Sequence, residues 1–500
     1  MKLLKKIDKF FEIHKRSSSF GIEIMAGITT FLAMSYILIV NPNNILLSGT
    51  ADPRFSSVFI ATALGSFIGT ILMALIAKMP FAQAPGMGLN AMVGTIVGGS
   101  LGFSYSYGNA MFLIFESGII FLLLSIIPCD KTKDGKRTIS LREKIFEAIP
   151  TGIRLAIPVG IGLFITYIGL QNAKLIVDNK FTLTQLVKFN DPSLWTRGGA
   201  ALSAIVSLFG LIVITICSHY KVKGSVIIGI LASTILSIPL GVSNINVLLG
   251  KVDGISWHAF HNISSFFNLT NPNSVFLSLF RDGILLPKGS LLTSLMLIVT
   301  FSMVDMFDSM GTVYGCSMNA NLLDEDDKPI NYDKIMYSDS IATLAGSLLG
   351  TSTVTTFVES GVGISFGAKT GFSSLICSVM FLLSIFLLPL FAFIPKEAVA
   401  GALIYVGFLM MKNIKNIDFN NIKYGIPSFL IIIMMILTYS ITDAIGIGIM
   451  TFVIIDLIIY IIDYFKYKLK KTEKKPAFEI TLTTIFMFIM FAIYFFVPMI

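Results

Sequence analysis

Four acidic side chains stand where acids are rare. Glu359 lies in TFVESGVGISFG, residues 355 to 366, among small residues and glycines. Asp305 and Asp308 stand three apart in FSMVDMFDSMG, a spacing that puts both on one face of a helix. Asp339, in YSDSIATLAG, sits near the end of an apolar run. Held away from water, such carboxyls can accept a hydrogen bond from an uncharged ligand, exchange a proton, or bond broken backbone as purely structural groups. Asn90, in QAPGMGLNA, adds an amide that both donates and accepts. Glu116 and Asp443 read as structural, and Glu23, Asp456 and Asp463 as residues near interfaces.

Other chemistries find no support in these residues. The histidines, His14, His219, His258 and His261, fall in loops or at interfaces, and the pair in HAFH has no acid or Cys neighbour to complete a metal set. Cys129, Cys217, Cys316 and Cys377 are scattered without any CxxC, implying neither disulfide nor metal. GISFGAKTG lacks the spacing of a phosphate loop, so no ATPase and no cofactor is implied. No nucleophile is paired with a base, and catalytic residues are expected to be absent.

The elements that must position the acids are membrane spans. Of 500 residues 54% are hydrophobic and 13% charged, with a mean hydropathy of +0.82, whereas soluble domains are about one-quarter charged. An acid at mid-membrane costs about 2.5 to 3.5 kcal/mol and marks a substrate or ion path by default. The net charge of +8 gathers in short segments between apolar runs, which is a topology signal and not a nucleic-acid surface. The basic, amphipathic start MKLLKKIDKFFEIHKR predicts a cytoplasmic surface helix that is not cleaved.

Apolar runs of spanning length recur along the chain. A first set is expected at about 21–40, 56–77, 83–100, 108–128, 152–171, 198–217 and 224–241. A second is expected at about 289–311, 336–350, 351–366, 372–394, 397–411, 427–445 and 446–464. With the N-terminus inside, the cytoplasmic connections include KTKDGKRTISLREK, HYKVKG, KNIKNIDFNNIKY and YKLKKTEKK, the most basic in the chain. Residues 478–500 fit either a further span or a peripheral segment.

Seven spans in each half require the second half to be inverted. Tyr36 to Asp305 covers the same interval as Asn90 to Glu359, in keeping with a repeat. The short, Gly-rich third and tenth spans, QAPGMGLNAMVGTIVGG and TSTVTTFVESGVGISFG, occupy corresponding places, the pattern of discontinuous helices meeting at a midplane site. The expected fold class is thus an all-α integral membrane protein of about fourteen spans in two inverted seven-span repeats.

Five motifs, AGITTFLAMSYILIVNP, QAPGMGLNA, FSMVDMFDSMGTVYG, LLGTSTVTTFVESGVG and LTYSITDAIGIG, together resemble the AzgA-like adenine/guanine/hypoxanthine permeases, a branch of the nucleobase transporter superfamily. The resemblance runs from about residue 17 to 465. It implies a core domain carrying substrate against a gate domain, and proton-coupled import of purine bases at the plasma membrane with elevator-like alternating access. The implied boundaries are a cytoplasmic N-terminal segment at 1–19, core halves at 20–128 and 289–395, and gate halves at 140–242 and 396–465. An extracytoplasmic connection fills 243–288, and a basic segment with a hydrophobic C-terminus fills 466–500. One departure is Lys369 in GAKTG, where relatives more commonly carry Arg; it keeps the charge and loses the planar fork.

By that resemblance Asp305, Asp308, Glu359 and Asn90 are implicated in binding. A purine base presents ring N–H donors beside acceptors, so Glu359 suits the N–H anchor, with Ser360 beside it and Tyr36 completing the substrate set. Asn90 serves O6 or N7, and Asp305 is a second contact or its organiser. Asp308 is assigned proton exchange, with Asp339 next in line. Sodium stays open in place of the proton, as does a homodimer. The rival expectation is an inorganic anion transporter of the same architecture, against which several acids at one depth count, because they repel an anion.

Overall fold

The computed structural model describes all residues except 1, 47–51, 100–102, 132–137, 148–149, 223–224, 250, 252–256, 325–327, 470–479 and 497–500. Of the basic connections used for orientation, residues 132–137, 223–224 and 470–475 lie outside the described residues. The chain folds as two compact units, one formed by Met1–Leu123 and Ile165–Val406, the other by Leu124–Phe164 and Gly407–Ile500.

Among the described residues nine helices are long and apolar enough to cross a membrane, and four shorter apolar helices accompany them, Met87–Val97, Ile228–Ser237, Ile422–Leu437 and Thr484–Ile493. Nine is fewer than the fourteen runs read from hydropathy. Part of the difference is local: Phe20–Leu46 is a single run of 27 residues, and the Gly-rich third and tenth segments form short helices preceded by strands.

The first unit begins with helix α1 (Lys2–Phe11), then α2 (Phe20–Met34) and α3 (Ile37–Leu46), with Ser35 and Tyr36 at the break between them. Helix α4 (Phe55–Leu72) continues as a wider turn at Met73–Ala77 and stops at Lys78, whose backbone is left-handed at φ 55°. Two prolines then keep the chain from resuming a helix. A residue before proline is pushed out of the helical region, so Met79 and Ala84 favour extended backbone, and strand β1 (Gln83–Pro85) forms there. Gly86 caps helix α5 (Met87–Val97).

The second half of this unit repeats the device with different residues. Helix α6 (Leu291–Ala320) carries Asp305 and Asp308, and α7 (Tyr332–Leu349) carries Asp339. Gly350, at φ +87°, ends α7. The β-branched run after it prefers extended backbone and gives strand β2 (Val354–Thr356), then α8 (Ser360–Ser365) and α9 (Gly371–Ser384). The two strands pair antiparallel in the register Gln83↔Thr356, Ala84↔Thr355 and Pro85↔Val354. Two further short ribbons pair Pro128–Lys131 with Thr138–Ser140 and Ile176–Asn179 with Leu183–Leu186.

The strand pair is seated on α4 and α7 at glycines. A Cβ on Gly69 would lie 2.7 Å from Val354, and one on Gly346 also 2.7 Å from Val354, so neither position accepts a side chain without displacing the strand. Asn41 of α3 donates to the hydroxyls of Thr62 at 2.6 Å and Thr351 at 2.8 Å, tying α3 to α4 and to the entry of β2.

At the end of the unit where α1 packs, Phe11 and Ile13 cluster with Phe372. Arg16 donates to the carbonyls of Lys78 at 3.2 Å and Lys369 at 3.1 Å, and Glu23 accepts the amides of Lys369 at 3.0 Å and Ser373 at 3.3 Å. Glu23, expected near an interface, is buried and satisfies backbone N–H groups at the start of α9. At Lys369, in the GAKTG turn, it is the backbone that Arg16 and Glu23 hold.

In the second unit, α10 (Ile422–Leu437) packs on α11 (Ile441–Lys468). Asp456, also read from sequence as an interface residue, is buried there and ion-paired with Lys423. The undecided C-terminal segment forms α12 (Leu482–Phe496), which packs on α11 where Phe491 and Phe495 close over Gly446.

Candidate functional site

The sequence-selected residues of the first unit converge on the two strands and the helices that succeed them. Glu359 is the cap position of α8, directly after the β2 segment, and is buried. Tyr36, at the break between α2 and α3, is buried beside it and donates its hydroxyl to Glu359 Oε1. Tyr36 stands out in the sequence by its interval to Asp305; the structure gives it a contact.

Asn90, in the first turn of α5, accepts the hydroxyl of Ser352 and donates to the Pro85 carbonyl at 3.4 Å. Asp305 accepts the Thr343 hydroxyl at 2.8 Å, and that hydroxyl also lies 3.3 Å from the Val354 carbonyl. Asp339 accepts from the Gln83 amide at 2.8 Å and from the Thr356 hydroxyl at 3.4 Å. Since Gln83 and Thr356 are cross-strand partners, Asp339 grips both strands at once. Ser360 accepts the backbone amide of Ala82 at 2.9 Å, so its hydroxyl stitches the segment before β1 to the start of α8. Asp308 is only half-buried, and its Oδ2 lies 3.7 Å from the point a Cβ on Gly86 would occupy.

Sequence reasoning missed Gln83, Thr343, Ser352, Thr353 and Thr355. The available signal was the hydroxyl-rich run Thr351–Thr356 inside an apolar protein. Its meaning emerges only with pairing, because alternate residues of a strand face opposite ways. Val354 and Thr356 point at the α4 and α7 wall, while the hydroxyls of Thr353 and Thr355 are buried with no hydrogen-bond partner among the described residues.

The arrangement as a whole is a set of buried carboxyls, amides and hydroxyls arrayed on irregular backbone. In a bilayer such backbone is tolerated only where it is buried in protein or lines a cavity. This is the construction of a membrane carrier. The chain belongs to the Permease family (Xan_ur_permease), whose profile matches residues 21–447. It is 34% identical over 446 residues to the guanine/hypoxanthine permease PbuG of Bacillus subtilis, covering 88% of this chain and 91% of that protein. It is 31% identical over 452 residues to the adenine permease AdeP of Escherichia coli, covering 90% of each. In fold it is similar to the transmembrane domain of a cyanobacterium bicarbonate transporter, BicA, with a TM-score of 0.52 at 13% identity over 86% of this chain and 97% of that one.

Proposed function

We propose that the protein imports purine nucleobases across the plasma membrane by proton symport. The N-terminus is cytoplasmic, and fourteen spans in two inverted repeats form a core that carries the base past a gate in an elevator-like movement. The observation that carries this reading is Glu359, a buried carboxyl displayed at the end of a strand on irregular backbone and held by a neutral phenol. A ligand with a ring N–H is the natural complement of such an acceptor, and rejection of analogues lacking it follows from leaving the acid unpaired. The naming of PbuG and AdeP as guanine/hypoxanthine and adenine permeases supports the purine class.

In this reading Glu359 anchors the base, Asn90 and Ser360 shape the pocket, Tyr36 orients Glu359, and Asp305 organises the strand through Thr343. Asp308, the acid least enclosed by protein, exchanges the coupling proton, with Asp339 in reserve. An inorganic anion is disfavoured as cargo, because Asp305, Asp308 and Glu359 would repel it. The test is counterflow in proteoliposomes with labelled hypoxanthine, challenged by adenine, guanine, xanthine, uracil and sulfate. Competition by purines and none by sulfate is expected. Counterflow of sulfate without hypoxanthine would overturn the reading.

A further inference from the structure

The two faces of strand β2 are treated differently. On one, Val354 packs against glycines and Thr356 bonds Asp339. On the other, the hydroxyl of Thr355 is buried, 1% exposed as a residue, and has no hydrogen-bond partner among the described residues. Buried polar atoms are nearly always paired, so an orphan hydroxyl calls for an explanation. Its surroundings supply one. The Thr355 hydroxyl lies 3.2 Å, and Asp308 Oδ2 3.7 Å, from the point where a side chain on Gly86 would begin. Gly86 caps α5 and donates its own amide to the Thr353 carbonyl at 3.0 Å, and because a side chain there would crowd the Thr355 hydroxyl, its lack of a Cβ leaves that hydroxyl and the Asp308 carboxyl oxygen close to the same stretch of backbone.

We propose that Thr355, acting with Asp308 across Gly86, reads the six-position edge of the base and is a specificity-determining residue. A threonine hydroxyl donates or accepts as required, and Asp308 offers an acceptor oxygen whether ionised or protonated. Together they complement an N–H next to an acceptor. Hypoxanthine and guanine carry this pair as N1–H and O6, and adenine carries it as its exocyclic amine and N1. Unsubstituted purine has the N1 acceptor but no N–H at that edge. The inference rests on the nucleobase reading and sharpens it, because Glu359 then need not read the same edge.

The experiment is equilibrium binding of hypoxanthine and of unsubstituted purine to the purified full chain, for wild type, T355V and T355S. T355V keeps the shape and removes the hydroxyl; T355S restores it. Hypoxanthine affinity should fall about tenfold or more in T355V, recover in T355S, and stand out against a much smaller change for purine. Should T355V fail to fold, T355A removes the same hydroxyl without placing a methyl in its polar surroundings. Unchanged affinity for both bases, or an equal loss for both, overturns the assignment. A wild-type protein that binds neither base overturns the nucleobase reading itself, a result that no outcome at Thr355 can imitate.

Discussion

The hydroxyl of Tyr36 is hydrogen-bonded to the carboxyl of Glu359 across 323 positions of sequence, joining the helix break of the first half to the helix start of the second. The bond fixes the direction in which the acid presents its second oxygen. Glu359→Gln should therefore keep the fold, since the amide oxygen still accepts from Tyr36. It should nonetheless weaken purine binding by roughly 10- to 100-fold, equivalent to about 1.5 to 3 kcal/mol for a charge-assisted hydrogen bond. Tyr36→Phe should weaken binding less while lowering thermal stability, because it strands a buried acceptor. Equilibrium binding and melting of both variants check this, and wild-type affinity in Glu359→Gln would remove the anchor role.

Proton coupling gives the second expectation. If one proton enters with each base, uptake rises as external pH falls and collapses with an uncoupler. Asp308→Asn resembles the neutral acid and keeps an acceptor oxygen, so binding and counterflow should persist while accumulation against a gradient is lost. Concentrative uptake by this variant at the wild-type level would move the coupling proton to Asp339 or Glu359.

A third expectation concerns the seat of the strands. A methyl on Gly69 would meet Val354 at 2.7 Å, the Gln83 side-chain oxygen at 3.0 Å and Ala342 at 3.1 Å. Gly69→Ala should destabilise the protein by about 1 to 3 kcal/mol, the usual cost of overpacking. It should also reduce purine binding, although Gly69 itself is assigned no contact with the base. A melting temperature and an affinity both equal to wild type would show that the strand pair has slack.

Glu359, Asp305 and Asn90 are legible in the sequence because charge and amide groups are costly in an apolar span, and cost shows in composition. The strands are not legible: three residues are too few for an alternating pattern, so Thr353, Thr355 and Thr356 look alike in sequence, though only the last is bonded to Asp339. The structural task of Glu23 is not legible for a related reason. Its partners are backbone amides 346 and 350 positions away, which carry no side-chain signature at all.

The same residue gives a fourth expectation. Glu23 offers one oxygen to the amide of Lys369 and the other to that of Ser373. Glutamine would present an N–H₂ to one of them, so Glu23→Gln should be nearly as damaging as Glu23→Ala, at roughly 1.5 to 3 kcal/mol. Thermal inactivation in detergent reads this directly. Full stability of Glu23→Gln beside a weakened Glu23→Ala would mean that only one of the two bonds matters.

The pairing of β1 with β2 also sets an order of events at the ribosome. Gln83 emerges 273 residues before Thr356, a delay of roughly 15 to 55 s at ordinary synthesis rates. Throughout that interval the Gly86 amide and the Ala82 carbonyl, which flank the first strand, lack the Thr353 and Phe357 partners they have in the folded chain, a state that lipid penalises. Neither half expressed alone therefore holds both partners of this pairing.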